Sequence, residues 1–123
     1  MNARDYQKMA HDFASYGANA MYPALGLAEE AGEVCGKIAK FIRKHGGIDP
    51  MTARYELENK VTITDDELKF RKDLSKELGD VMWMVAELCT VYGLDMEDVM
   101  SENIEKLTDR RERGVIDGNG DNR

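Results

Sequence analysis

An apolar stripe at helical spacing runs through Ala24, Leu27, Ala28, Ala31, Val34, Cys35, Ile38, Phe41 and Ile42, and a long amphipathic helix is the element that satisfies it. Pro23 is tolerated in the first turn, and Gly46-Gly47 closes the run. The same periodicity supplies three more helices. Tyr6, Met9, Ala10 and Phe13 predict a first helix from about Ala3 to Tyr16, stopping at Gly17. Thr64-Asp65-Asp66-Glu67 reads as a capping box, hydroxyl and carboxylate each satisfying an orphan amide. It opens a long third helix through Leu68, Leu74, Leu78, Val81, Met82, Val85, Leu88 and Cys89 to Gly93. Asp95 caps a fourth, with Met96, Val99, Met100, Ile104 and Leu107 as its stripe, fraying into Arg110-Arg111-Glu112-Arg113-Gly114. Between the second and third helices lies an irregular insertion containing Pro50. A hairpin there pairs Arg54-Tyr55-Glu56-Leu57 with Val61-Thr62-Ile63 about Asn59-Lys60. The chain is read as all-α.

Two carboxylate pairs sit on these helices: Glu30 with Glu33 inside LAEEAGEV, and Glu77 with Asp80 inside KELGDV. Three residues is close to one turn, so each pair aims two like charges at one spot, which is destabilising without a cation between them. A lone pair of this kind is ordinarily a solvated surface. Here both are embedded in small apolar residues, where an exposed face would carry Lys or Arg four residues away. On the helical wheel Glu30, Glu33 and Lys37 form a row just off the apolar stripe, with Glu29 further round. Glu87 continues the side of the third helix that carries Glu77, Asp80 and Trp83. Trp83 either fills core or floors a base-stacking pocket. Asn103 falls on the core side of the fourth helix, where its amide either bonds a backbone carbonyl or reaches the carboxylates or a ligand. Lys106, at the stripe's edge, serves a phosphate or lies in solvent.

Other metal chemistries fit poorly. Neither His11 nor His45 has an acidic residue three positions before it, which removes the Glu-x-x-His di-iron pattern. Oxygen-only ligands suit magnesium or manganese rather than zinc. Asp117-Gly118-Asn119-Gly120-Asp121 opens like a calcium loop but has Asn122 at position six and lacks the closing bidentate Glu.

At 123 residues, with a net charge of -7, the chain is one domain, residues 1–123, and its acidity excludes nucleic acid as a bulk partner. No apolar stretch approaches the roughly 18 residues of a membrane span, and no leader pattern opens the chain, so a cytoplasmic protein is expected. Cys35 and Cys89 fall among apolar helix positions and read as buried, reduced thiols.

With these residues in place the chain resembles the MazG-like all-α nucleoside triphosphate pyrophosphohydrolases. The marks are Glu29-Glu30-Ala31-Gly32-Glu33 followed by Glu77-Leu78-Gly79-Asp80, with flanks Tyr22-Pro23-Ala24-Leu25-Gly26-Leu27 and Asn103-Ile104-Glu105-Lys106-Leu107. The end, Arg113-Gly114-Val115-Ile116 and Gly118 to Arg123, agrees as well. Residues 48–70 depart from it, because the spacer between the two carboxylate pairs is longer than is usual in that family. The resemblance implies a four-to-five-helix bundle completed by oligomerisation, as a homodimer or a dimer of dimers. It implies Mg2+, with Mn2+ able to substitute, as two or three ions held by Glu30, Glu33, Glu77 and Asp80. Glu29, Glu30 and Glu33 would be catalytic, Glu29 holding a further ion or orienting the attacking water. The reaction implied is hydrolysis of a nucleoside triphosphate, expected to be a deoxynucleotide, to the monophosphate and pyrophosphate. Lys37, Trp83, Asn103, Lys106, Arg110, Arg111 and Arg123 are the candidate substrate contacts, and the arginine-rich tail is either a phosphate clamp or a frayed terminus. A tail of either kind can be cut after Arg113 without touching predicted core. The reading from another class is a non-catalytic acidic helical module that binds a partner protein through its eight methionines.

Overall fold

The computed structural model describes residues 1–17, 19–47 and 63–123. Among them are four helices and no strand: α1 (Ala3–His11), α2 (Met21–Lys44), α3 (Asp65–Val91) and α4 (Met96–Glu112). The expected hairpin lies, apart from Ile63, outside the described residues. The chain divides into two compact units, Asn19–Val85 and Met1–Ala18 with Ala86–Arg123, so α3 contributes to both.

In the first of these units α2 and α3 run antiparallel, because successive contacts climb one helix as they descend the other. Gly26 meets Met84, Lys37 meets Glu77, Phe41 stacks on Phe70 and Lys44 pairs with Asp66. The capping box forms as read: Thr64 N donates to Glu67 Oε2 at 2.9 Å and Glu67 N to Thr64 Oγ1 at 3.3 Å. The buried row of α2 is Pro23, Gly26 and Phe41, with Glu30, Val34 and Lys37 half-buried, whereas Ala24, Ala28, Ala31 and Cys35 are exposed. Of the apolar stripe itself Phe41 is buried and Leu27, Val34, Ile38 and Ile42 are half-buried, so it is the edge carrying Ala24, Ala28, Ala31 and Cys35 that stays uncovered within one chain. This leaves Cys35 exposed, contrary to expectation, while Cys89 is buried and both are free thiols.

In the second unit α1 packs against α4. Asn2 and Asp5 form a capping box that opens α1, and Asp95 caps α4 by accepting from Glu97 N and Asp98 N. Arg4, in the first turn of α1, fastens that turn to the α4 cap, donating to Asp95 Oδ2 at 2.6 Å and Asp98 Oδ1 at 2.8 Å. α1 ends at His11, five residues before the expected Tyr16. Its last amides tighten onto carbonyls three residues back, and Phe13, 78% exposed, gains no burial that would prolong the helix. Of the expected α4 stripe only Met96 is buried; Val99, Met100, Ile104 and Leu107 are exposed. Asn103 is exposed as well, so it is not a core amide.

Candidate functional site

Glu30 on α2 and Glu77 and Asp80 on α3 each offer one carboxylate oxygen, and the three oxygens lie within 4.8 Å of one another. Close helix approach produces this. A Cβ at Gly26, one turn before Glu30, would meet Met84 Sδ and Cε at 2.6 Å, so the Met84 side chain packs directly over the Gly26 backbone, one turn beyond Asp80. At the far end the Phe41 and Phe70 rings stack with centroids 4.0 Å apart, and Lys44 Nζ stands 2.6 Å from Asp66 Oδ1. The carboxylates thus sit between two fixed points of one antiparallel helix pair.

Burial, followed by the charges of Asp80, Glu29, Glu77 and Glu33, pushes the Glu30 carboxyl above the ordinary carboxylate range. After burial, the main repulsion at Glu30 comes from Asp80 across the helix pair, and Glu33, the partner expected from the sequence, contributes least of the four. Three oxygen donors in reach of one point, with charge in excess, fit a hard divalent cation such as Mg2+ or Mn2+. One native cation already touches the group: Lys37 Nζ lies 3.1 Å from Glu77 Oε1. That contact holds the Lys37 ammonium above its ordinary basicity.

The remaining residues singled out from the sequence are distributed more widely. Glu33 is exposed one turn beyond Glu30 and stands outside the group of three, and Glu29 is exposed beside Glu30. Trp83, one turn after Asp80, is half-buried. Asn103, Lys106, Arg110, Arg111 and Arg123 belong to the other unit. There the tail is folded rather than frayed. Arg110 is buried, and its Nη2 donates to Asp121 Oδ1 at 3.0 Å, Asp121 O at 3.1 Å and Gly120 O at 3.3 Å. Arg123 donates to Gly120 O and Ile116 O, and Lys106 reaches Asp121 Oδ1 at 3.3 Å. Arg111 is exposed.

Glu87 was expected along the Glu77 side of the third helix. It is fully buried, and its Oε2 accepts from His11 Nδ1 at 3.1 Å and from Tyr16 OH. Its Oε1 has no partner among the described residues. The only signal in the sequence was a carboxylate flanked by Val85, Ala86, Leu88 and Cys89; the histidine that meets it is 76 positions away.

A family model for the MazG nucleotide pyrophosphohydrolase domain matches residues 21–115. The chain belongs to the MazG family. The matched span takes in α2, α3 and α4, and with them Glu30, Glu33, Glu77 and Asp80, while α1 and the last turns of the tail lie outside it. Among curated relatives, Gene 37 protein of Mycobacterium phage L5 is 37% identical over 131 aligned residues that cover the whole of both chains. YvdC of Bacillus subtilis (strain 168), named only as an uncharacterized protein, is 45% identical over 42 residues, 34% of this MazG chain and 40% of its own. No solved structure matches significantly.

Proposed function

We propose that this MazG-family chain hydrolyses nucleoside triphosphates, deoxynucleotides among them, to the monophosphate and pyrophosphate in a Mg2+-dependent reaction. The observation that carries the reading is the convergence of Glu30, Glu77 and Asp80 from two helices inside the span that matches the MazG family model. A triphosphate carries about four negative charges near neutral pH and does not approach such a cluster without cations between. Bound there, Mg2+ or Mn2+ would polarise phosphoryl oxygens and lower the pKa of a bound water. Glu30, Glu77 and Asp80 hold the ions, Glu33 adds a ligand from the next turn, and Glu29 orients the attacking water. Trp83, one turn from Asp80, offers a ring against which a base stacks. Arg111, exposed on α4, keeps its donors available for phosphate. The free thiols Cys35 and Cys89 support a reducing, cytoplasmic setting.

The exposed stripe of α4, with the exposed Met21, Tyr22 and Leu25 of α2, supports assembly into a homodimer or a dimer of dimers. Exposed Met21, Met82 and Met100 also suit the alternative of a non-catalytic module docking a partner protein. Thermal denaturation with and without Mg2+, beside a screen of ribo- and deoxynucleoside triphosphates for pyrophosphate release, separates the two. The hydrolase shows both a Mg2+-dependent stabilisation and release; the docking module shows neither.

A further inference from the structure

Glu77 Oε1 has two claimants. One is the divalent cation that Glu30, Glu77 and Asp80 are read as holding; the other is the Lys37 ammonium 3.1 Å away. Among the described residues Lys37 is the one cation in an ion pair with any of the three carboxylates. We propose that Lys37 is a tethered competitor for the metal, its ammonium and a divalent ion excluding each other at Glu77, so that Lys37 sets the ion concentration at which the cluster loads. The proposal rests on the reading of the cluster as the metal site.

The competition follows from charge and reach. Two positive centres a few ångströms apart at one carboxylate repel strongly enough that the ion has to displace the ammonium, and giving up a partly exposed ion pair lowers the apparent ion affinity by up to about fivefold. Glu77 is the more covered partner, its side chain 16% exposed against 35% for Lys37, so the lysine is the one free to leave. A place for it exists on the same helix: Glu33 lies four residues before Lys37, the favourable order for an acidic and a basic residue one turn apart. Asp73 is a poorer refuge, because Lys69 and Lys76 already pair with it at 2.5 and 3.6 Å. Phosphate oxygens arriving beside Glu77 would draw the same ammonium away, which makes nucleotide and ion load together. Lys37 is therefore a positioning residue, acting through Glu77, and this is a different role from a strut that merely fastens α2 to α3.

Titration of Mn2+ into the nucleotide-free full chain, followed by calorimetry, tests this with four proteins: wild type, Lys37→Met, Lys37→Arg and Asp80→Asn. Competition requires Lys37→Met to bind Mn2+ about fivefold tighter than wild type, and Lys37→Arg to return to within about twofold of wild type because the charge is restored. Equal affinity in wild type and Lys37→Met overturns the competition and leaves the metal site standing. Weaker binding in Lys37→Met also overturns it, marking Lys37 as a strut. Mn2+ binding by Asp80→Asn as tight as by wild type places the ion elsewhere and overturns the metal reading together with the competition.

Discussion

Glu30 concentrates the account at the scale of one residue. Its carboxyl takes a proton more readily in the folded chain than the ordinary value of 4.5, from burial first and then from Asp80, Glu29, Glu77 and Glu33. A carboxyl raised in this way opposes folding once ionised: the cost is absent below the ordinary value and grows as pH rises through the raised one. In chelator-treated protein Glu30→Gln should therefore melt above wild type at about pH 7, and the difference should vanish near pH 4. A Glu30→Gln variant that melts lower at neutral pH would contradict the assigned repulsion. Asp80→Asn and Glu33→Gln should abolish turnover while circular dichroism stays helical. Glu87 tests the opposite situation, a buried carboxylate that is wanted. Glu87→Ala removes the shared acceptor of His11 and Tyr16 and leaves a cavity at a fully buried position, which should cost about 2 kcal/mol in urea denaturation. The carboxylate motifs were legible because their spacing is local, whereas the preference for Glu30 over Glu33 depends on which face of α2 meets α3. The His11–Glu87 pair was illegible for a related reason, since nothing local links residues 76 positions apart.

Elements divide in the same way. The Thr64–Glu67 box and the Asp95 cap were readable from a few adjacent letters and formed as read. The Asn2–Asp5 box is equally local, but its Asn-x-x-Asp letters are a weaker signal than the Ser/Thr-x-x-Glu/Gln form. The end of α1 was misplaced because periodicity continues through Phe13 although no burial rewards it. Four helices and an all-α architecture follow from periodicity; which stripe is covered within one chain does not. The tail shows the consequence for stability. Cutting after Arg113 looked harmless from the sequence, but it removes all three acceptors of Arg110 Nη2, whose side chain is 5% exposed. Truncation should lower the melting temperature by at least about 4 °C, and an unchanged melting temperature would show that the Arg110 contacts carry no stability. Arg110 and Lys106 hold Asp121 below its ordinary 3.8, so this contribution is present above that value and fades as pH falls through the lower folded one.

For the whole molecule, the net charge of -7 supports the proposed partner class, in which phosphates would reach the surface through cations, as small ligands. The exposed Val99, Met100, Ile104 and Leu107 of α4 predict a second copy. Sedimentation at micromolar concentration should give at least twice the 13.9 kDa of one chain, and Ile104→Glu should shift the mass toward a single chain. A wild-type monomer would contradict assembly. No described helix is long and apolar enough to cross a membrane. The central claim, a Mg2+-dependent pyrophosphohydrolase, is tested most directly by phosphorus NMR of the products formed from a deoxynucleoside triphosphate. Wild type with Mg2+ should yield equal amounts of monophosphate and pyrophosphate, with no turnover in chelator or in Asp80→Asn. Formation of diphosphate and inorganic phosphate, or turnover that survives chelation, would contradict it.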